Sequence, residues 1–585
     1  MLSNSPFKLP RKTPFGMGEN IAEWATGLSQ LDRFYHQRPA GCNTRQFLRF
    51  TLEVLGIDYN VAKGSLENVP ATGPTVVVAN HPLGCVEGVI LAELLLFVRS
   101  DIQILANHYL KTVPELDELF IGVDVLNEEN AQYSNMHALR SAHRHLEKGG
   151  LLLIFPAGEV SHLVDRKKQK LEDKEWSGSV SRLIRKHKAT SVPIFINGQN
   201  SKRFYMAGKI HPLLRTLMLG RELLNKKNKP IRIYIGQPIR YKEVNTLSHS
   251  QLVSYLRFNT YLLNPATKQV RNKNEQDHPL PPVCAQLPVS ELKADLQSLS
   301  PEQHLLSHNE FEVYCAKAED IPCILHEIGR VREITFRQVG EGTGLTLDVD
   351  KFDQEYLHLF IWDRENDRLV GAYRLGLVDQ IQPRFGIKGL YSSTLFSYQE
   401  PFISNMGKSI EMGRSVVARE YQKSMAPLML LWKGIATFVS RNPDYTHLFG
   451  PVSISNDYSD EARQLLAQTM ALHYYDNDQA KLVAATNPLK NRDNQDWNHC
   501  LLSALADVQL LSKVISRMDD GKGVPVLLRQ YLGLNGKFVC FNVDADFNDA
   551  LDGLIVVDLR KVEEKTLARY MGPDAAGHYL QHHNL

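Results

Sequence analysis

Between residues 75 and 235 the chain repeatedly sets a short apolar run beside a stretch with helical periodicity. This alternation constrains the fold more than any other feature. Residues 75–79, 102–106, 151–155, 191–196 and 231–235 read as strands, and 88–99, 136–148 and 177–188 read as helices. Strands alternating with helices predict an α/β sheet with helices packed on it. After residue 264 the pattern dissolves: Pro265, Pro279, Pro281, Pro282, Pro288 and Pro301 punctuate a polar stretch holding one short helical segment, 290–299. Such composition marks a linker. Beyond it, strands at 311–315, 357–363, 368–377, 409–418 and 446–452 accompany helices at 321–336 and 426–441, with 357–377 read as a hairpin. The expected organisation is therefore two α/β domains, 1–264 and 305–585, joined by residues 265–304. The halves show no internal repeat.

A chain of 585 residues is too long for one core, and 43% hydrophobic with 23% charged residues fits folded domains, not disorder. The net charge of +2 hides an asymmetry. Residues 1–300 hold 38 Lys and Arg against 27 Asp and Glu, and the remainder holds 29 against 38. A basic half suits an anionic partner such as lipid headgroups, nucleic acid or an acidic carrier protein. The segment 211–227, which mixes Leu and Met with Arg and Lys, can lie in a lipid interface or close a domain core. Without interleaved stacking aromatics it does not point to nucleic acid. Seven scattered cysteines with no C-x-x-C pair fit reduced thiols in the cytoplasm. The longest apolar stretch, 89–98, is broken by Glu93 and falls short of the roughly 20 residues a spanning helix needs. Membrane contact is therefore expected to be peripheral, at the inner face.

The segment Asn80-His81-Pro82-Leu83-Gly84-Cys85-Val86-Glu87 sets a histidine where a strand ends. Reacting groups in open α/β sheets gather at such carboxyl ends. A carboxylate folding back onto the imidazole would fix its tautomer and raise its basicity, so His81 is a candidate general base and Glu87 its partner. A loop histidine beside a helix-terminal carboxylate is the plainer alternative. Further on, Phe155-Pro156-Ala157-Gly158-Glu159-Val160-Ser161 follows a second buried strand and Val192-Pro193-Ile194 lies in a third.

Together these ordered blocks, over roughly 70–240, resemble the glycerolipid acyltransferases, whose blocks are N-H-x4-D, F-I-D-R, F-P-E-G-T-R-S and V-P-hydrophobic. The resemblance implies that His81 takes the acceptor hydroxyl proton, that Glu87 partners it, and that the hydroxyl attacks an acyl thioester. It places Asn80, Asp124, Gly158 and Glu159 at the substrate. Three departures matter. The carboxylate is Glu87, one residue later than the Asp of the first block. The second block reads Phe120-Ile121-Gly122-Val123-Asp124-Val125, and Val160 stands where the third block carries Arg. Losing both arginines, the side chains suited to phosphate, predicts an acceptor without a phosphate. Asp124 and Glu159 are then expected to face a cationic amine.

In the second half Arg332-x3-Phe336, Asp350-x2-Asp353, Arg374 in Gly-Ala-Tyr-Arg-Leu and Glu411-x2-Arg414 follow in order. As a series they resemble the acyl-homoserine-lactone synthases and the lyso-ornithine-lipid N-acyltransferases of the GNAT-like fold. The aromatic expected after Phe336 in the lactone enzymes is replaced by Gly340-Glu341-Gly342, which favours the lipid branch. Asp350, Asp353 and Glu411 are candidates to bind or deprotonate an acceptor amine, with Glu411 as the catalytic choice. Arg332, Arg374 and Arg414 are candidates to hold a carboxylate or brace the acids. A structural ion-pair network is the alternative. The stretch 419–426 carries no glycine, so it lacks a pyrophosphate loop and favours an acyl-carrier-protein donor over acyl-CoA.

The whole chain resembles the bifunctional ornithine lipid synthases. The resemblance implies N-acylation of an amino acid, expected to be ornithine, with a 3-hydroxyacyl group by the second half, and O-acylation of that hydroxyl by the first. No bound cofactor or metal is expected. The rival readings are a lysophospholipid O-acyltransferase with an inactive second domain and a haemolysin-like membrane-active protein.

Overall fold

The computed structural model describes residues 5–9, 17–123, 131–165, 170–210, 215, 217–227, 230–265, 280–490, 497, 499–519 and 521–585. The chain forms two compact units, residues 1–272 with 498–504 and residues 273–497 with 505–585.

In the first unit β1 (Tyr59–Lys63), β2 (Thr75–Ala79), β3 (Ile102–Asn107), β4 (Phe120–Val123) and β5 (Leu151–Ile154) precede a small hairpin, β6 (His162–Asp165) and β7 (Lys170–Glu172). With β8 (Thr190–Asn197) and β9 (Ile231–Ile235) the five form one sheet, ordered β1-β9-β8-β2-β5-β3-β4. Neighbours run parallel throughout except β8 against β9. Every residue of β2 and β5 is buried, as strands covered on both faces require. Burial of Val76, Val77 and Val78 contributes about 1.5–3 kcal/mol apiece. The helix after β2 spans Cys85–Leu95 and starts three residues before the periodicity predicts. Its apolar residues face all directions, so the pattern marks the helix poorly, and Gly84 completes the corner at φ +88°. A Cβ on Gly84 would come within 2.6 Å of Leu219 Cδ2. The early start puts Glu87 in the first helical turn.

In the second unit β10 (His304–His308), β11 (Phe311–Lys317), β12 (Leu357–Asp363) and β13 (Arg368–Leu377) are successive antiparallel strands. They continue through β15 (Ser409–Val417) and β16 (His447–Ile454) to β19 (Ala550–Asp558) and β18 (Lys537–Asp544). β14 (Phe396–Tyr398) and β17 (Val483–Ala485) pair separately. The helix Pro322–Gln338 packs Ile324 and Ile328 with Phe360. Gly434, in the helix Ala426–Arg441, abuts Leu359. Adjacent strand residues face opposite sides, so the two helices cover the two faces. Of the proline-rich stretch, 266–279 lie outside the described residues, whereas Val289–Ser298 is a helix of the second unit. Its Asp295 Oδ2 accepts from the N–H groups of Cys323 and Ile324 at 2.7 and 2.8 Å, satisfying donors that start the next helix.

One junction breaks the regularity. β15 and β16 run parallel but pair only at Ser409–His447, Ile410–Leu448 and Glu411–Phe449. At the parting point a Cβ on Gly450 would lie 2.1 Å from the Met412 carbonyl oxygen, so only glycine admits this approach. Beyond it β15 follows β13 and β16 follows β19, and the sheet opens into a V. β15 also shifts register against β13, with Arg414 at φ +50°. Bulges and left-handed non-glycine residues of this kind mark strained positions that gather at functional sites.

Candidate active sites

The carboxyl ends of β2, β5 and β8 share one edge of the first sheet, and His81 sits there. Its Nδ1 lies 2.7 Å from Glu87 Oε1, short but off the line of an aligned hydrogen bond. Glu87 is fully buried and His81 is 18% exposed, so the pair has a closed end and an open end. Glu87 Oε1 also accepts from the Leu83 N–H at 3.1 Å, which holds the corner against the helix. The carboxylate thus returns through the first helical turn, and this explains how a spacing of six residues reaches the imidazole. Phe155 packs on the ring, with centroids 4.6 Å apart. Asn80 bridges β2 to β8: it donates to Ile196 O at 3.0 Å and accepts from Ile196 N at 2.7 Å. It therefore positions the histidine and does not present its amide to a ligand.

The sequence reading missed Asp173. This buried carboxylate accepts from the His81 N–H at 3.2 Å, the Ser161 hydroxyl at 2.6 Å and the Trp176 indole at 3.0 Å. Ser161 N–H donates to His81 O at 2.8 Å, so the backbone of His81 is clamped on both sides. Gly158 turns the loop at φ +69°. Glu159 ion-pairs with Lys174 and Arg215. Burial works to raise its carboxyl, but those two cations outweigh it and hold the group below the usual carboxylate range. Glu159 is thus already neutralised within the protein, contrary to the expectation that it awaits a cationic amine. Asp124 lies outside the described residues, as do 211–214, 216, 228 and 229 of the basic segment. Within the rest of that segment Lys226 is buried, donating to Gln199 O and Asn200 Oδ1 at 2.9 and 2.7 Å. Arg215 and Lys226 therefore point into the fold and are not available to headgroups. Among the described residues no helix is long and apolar enough to cross a membrane.

In the second unit the predicted arginines and aspartates do converge, but most are sealed. Arg332, Arg374 and Asp353 have fully buried side chains. Arg332 Nη1 donates to Asp353 Oδ1 at 2.8 Å, and Arg374 Nη1 lies 2.8 Å from Asp350 Oδ1 and 3.3 Å from Asp353 Oδ1. Burial alone would raise the Asp353 carboxyl; the two guanidiniums outweigh it and hold it well below the usual range. Burial pushes the neighbouring His358 down to about 4, and Arg332 adds to the effect. Phe336 packs partly buried against the core that includes Ile324, Ile328 and Phe360. Of the six predicted charges, Asp350 keeps 27% side-chain exposure and Arg414 12%, and the other four are buried.

Glu411 is engaged rather than poised. It accepts from Tyr391 N–H at 3.0 Å, Ser392 N–H at 2.7 Å and the Tyr356 hydroxyl. With both oxygens bonded and the side chain sealed, Glu411 braces the 391–392 turn, and the geometry does not offer it to a substrate. The acids that do stand by the open V are Glu341, Asp544 and Asp552, which sequence reading passed over. Asp552 carried a signal, since it interrupts an otherwise apolar strand, Ala-Leu-Asp-Gly-Leu-Ile-Val-Val.

With this geometry in place, comparison with known proteins adds the reaction class. Residues 31–269 match the family described as acyltransferase, and residues 331–433 match that described as acetyltransferase (GNAT) domain. A glycine N(alpha)-acyltransferase of Phocaeicola vulgatus is 28% identical over 281 residues, 45% of this chain and 84% of that protein. A lyso-glycine lipid O-acyltransferase of the same organism is 28% identical over 227 residues, 37% of this chain and 77% of its own. A solved CoA-dependent acyl-homoserine lactone synthase aligns with 46% of this chain and 97% of its own at 11% identity, and its TM-score of 0.22 carries no weight. The chain carries an acyltransferase domain followed by a GNAT domain, and it is an acyltransferase.

Proposed function

We propose that the chain builds a diacylated amino-acid lipid in two steps. The second unit N-acylates glycine with a 3-hydroxyacyl group, and the first unit O-acylates the resulting lyso-lipid. One observation carries this reading: a glycine N-acylating relative and a lyso-glycine-lipid O-acylating relative both match a single chain. Glycine takes the place of ornithine because both relatives are named for it.

In the O-acyl step His81 takes the acceptor hydroxyl proton on Nε2 while Glu87 stabilises the imidazolium at Nδ1. The hydroxyl oxygen attacks the thioester carbonyl carbon, the C–S bond breaks, and the proton on His81 passes to the departing sulfur. The donor for the N-acyl step is an acyl-carrier protein. Exposed Arg419 and Lys423 stand beside the glycine-free turn that leads into the helix Ala426–Arg441, where they can meet an acidic carrier. The basic first unit works at the anionic inner face of the membrane.

The test is lipid mass spectrometry of a host without aminolipids that expresses the chain and is fed labelled glycine or labelled ornithine. Diacyl lipid carrying the glycine label supports the proposal. Label from ornithine alone would replace the acceptor, and no new aminolipid would overturn the reading.

A further inference from the structure

Past the point where β15 and β16 part, four elements converge. Arg414 comes from the bulge of β15, and Ser453 and Ser455 come from the end of β16. Asp544, Phe547 and Asp552 come from the β18–β19 hairpin, and Glu341 from the loop after the helix Pro322–Gln338. The loop is held in place: Ser455 Oγ donates to Val339 O at 3.0 Å, and a Cβ on Gly340 would lie 3.0 Å from Asn548 Nδ2. Arg414 lies over two aromatic faces, its guanidinium carbon 4.7 Å from the Phe547 centroid and 5.2 Å from that of Tyr391. Its contacts to Asp348 and Asp350, 3.6 and 3.8 Å, are longer than hydrogen bonds. Asp348 is 2% exposed and leaves Oδ2 without a hydrogen-bond partner. Asp552 is likewise buried and accepts from Ser453 Oγ at 2.6 Å.

This constellation differs from the sealed network beside it. There, two arginines hold one aspartate ionised. Here a single incompletely paired arginine faces several acids. Burial, with Asp457 and Asp544 adding to it and Arg414 opposing, raises Glu341 to about 7. Burial, with Asp544 and Glu341 adding and Ser453 and Arg414 opposing, raises Asp552 to about 7. The two acids interact, so they titrate as a pair. Groups that change charge near neutral pH are suited to move a proton at working pH.

We propose that Glu341, Asp552 and Arg414 form the acceptor pocket of the N-acyl step, the two acids taking the ammonium proton and Arg414 holding the carboxylate of a small amino acid. The inference rests on the reading that the second unit acylates an amino-acid nitrogen. The incoming R–NH3+ gives one proton to the carboxylate pair and becomes R–NH2. The nitrogen lone pair attacks the thioester carbonyl carbon, forming the C–N bond. The tetrahedral centre collapses with cleavage of C–S, the thiolate takes the second N–H proton, and amide and thiol leave. The carboxyl pair returns its proton to solvent.

The experiment uses the full chain with acyl-carrier-protein thioester and two acceptors, glycine and aminooxyacetate. Aminooxyacetate keeps a carboxylate but presents a nitrogen already neutral at pH 7. Glu341→Gln and Asp552→Asn should each lower kcat/KM for glycine by about 10²-fold at pH 7, a proton-transfer effect. The loss should shrink as pH rises and free glycine amine accumulates, and aminooxyacetate should lose only a few-fold. Arg414→Lys should raise the glycine KM about tenfold with kcat nearly unchanged, since a point charge replaces a bidentate fork. Glu341 sits on a half-buried loop, so its variant stays informative if the Asp552 variant misfolds. Equal losses for the two acceptors, or an unchanged pH profile, would overturn the proposal. A wild-type chain that acylates neither acceptor would instead overturn the function on which it rests.

Discussion

In the first unit one histidine and one glutamate meet at 2.7 Å, and only the glutamate is fully buried. In the second, Arg332, Arg374 and Asp353 are entirely enclosed and paired, and the incompletely paired groups gather around Arg414 at the parting of two strands. The first arrangement concentrates the proposed chemistry in a dyad at a strand end, so a motif in the sequence points straight at it. The second separates support from the proposed chemistry: enclosed charges brace one another, and the acids beside the V come from a loop and a distant hairpin. Ordered charged motifs can therefore mark the scaffold of a site as readily as its reacting groups.

The sharpest way to break this contrast is to remove one enclosed charge. Arg332→Ala should destabilise the second unit by about 3–5 kcal/mol, because Asp353 keeps a buried charge that has lost a partner. Chemical denaturation followed in that unit measures it, and a change below about 1 kcal/mol would place Arg332 with surface pairs. The pH dependence has a definite sign. Asp353 is held below its ordinary value, so its stabilisation is full above the unfolded value of about 3.9 and lost as pH falls below it. Asp353→Asn should flatten that acid limb.

A smaller effect is expected at the corner that returns Glu87 to His81. Gly84→Ala puts a Cβ against Leu219 at φ +88°, and should cost the first unit about 1–3 kcal/mol while sparing the second. Thermal unfolding of the variant checks this. The smallest effect belongs to the surface. Reversing Arg419 and Lys423 to Glu should raise KM for carrier-bound donor roughly 2–10-fold, the scale of exposed charge pairs, and leave the glycine KM unchanged. Wild-type KM for that donor should rise with salt. Preference for acyl-CoA without salt dependence would remove the carrier protein from the account.

Legibility in the sequence followed the same divide. β2, β9, β12, β13 and the helix Ala426–Arg441 were readable to the residue, because apolar period and boundary residues agree there. β4 was not, since Phe120–Val123 is short and was read as a site block. The helix Val289–Ser298 was legible to within a residue but was assigned to a linker, whereas Asp295 ties it to the next helix, so a separately expressed second unit needs it. His81 and Glu87 were legible because loop and helix lie within one turn of sequence. Asp173 and Glu341 were not, because Asp173 meets His81 from 92 residues away and Glu341 meets Arg414 and Asp544 on strands far along the chain. Glu411 was read as the catalytic acid because its engagement by two N–H groups and a tyrosine depends on a turn some 20 residues upstream and on Tyr356, which the motif does not show.

The central claim, that two acyl transfers use two separate sites on one chain, is tested most directly by lipid mass spectrometry of cells carrying His81→Ala. Loss of a general base should slow O-acylation by about 10²–10⁴-fold while N-acylation continues, so the monoacyl amino-acid lipid accumulates and the diacyl form disappears. Normal diacyl lipid in those cells, or the loss of both species in a folded variant, would contradict the account.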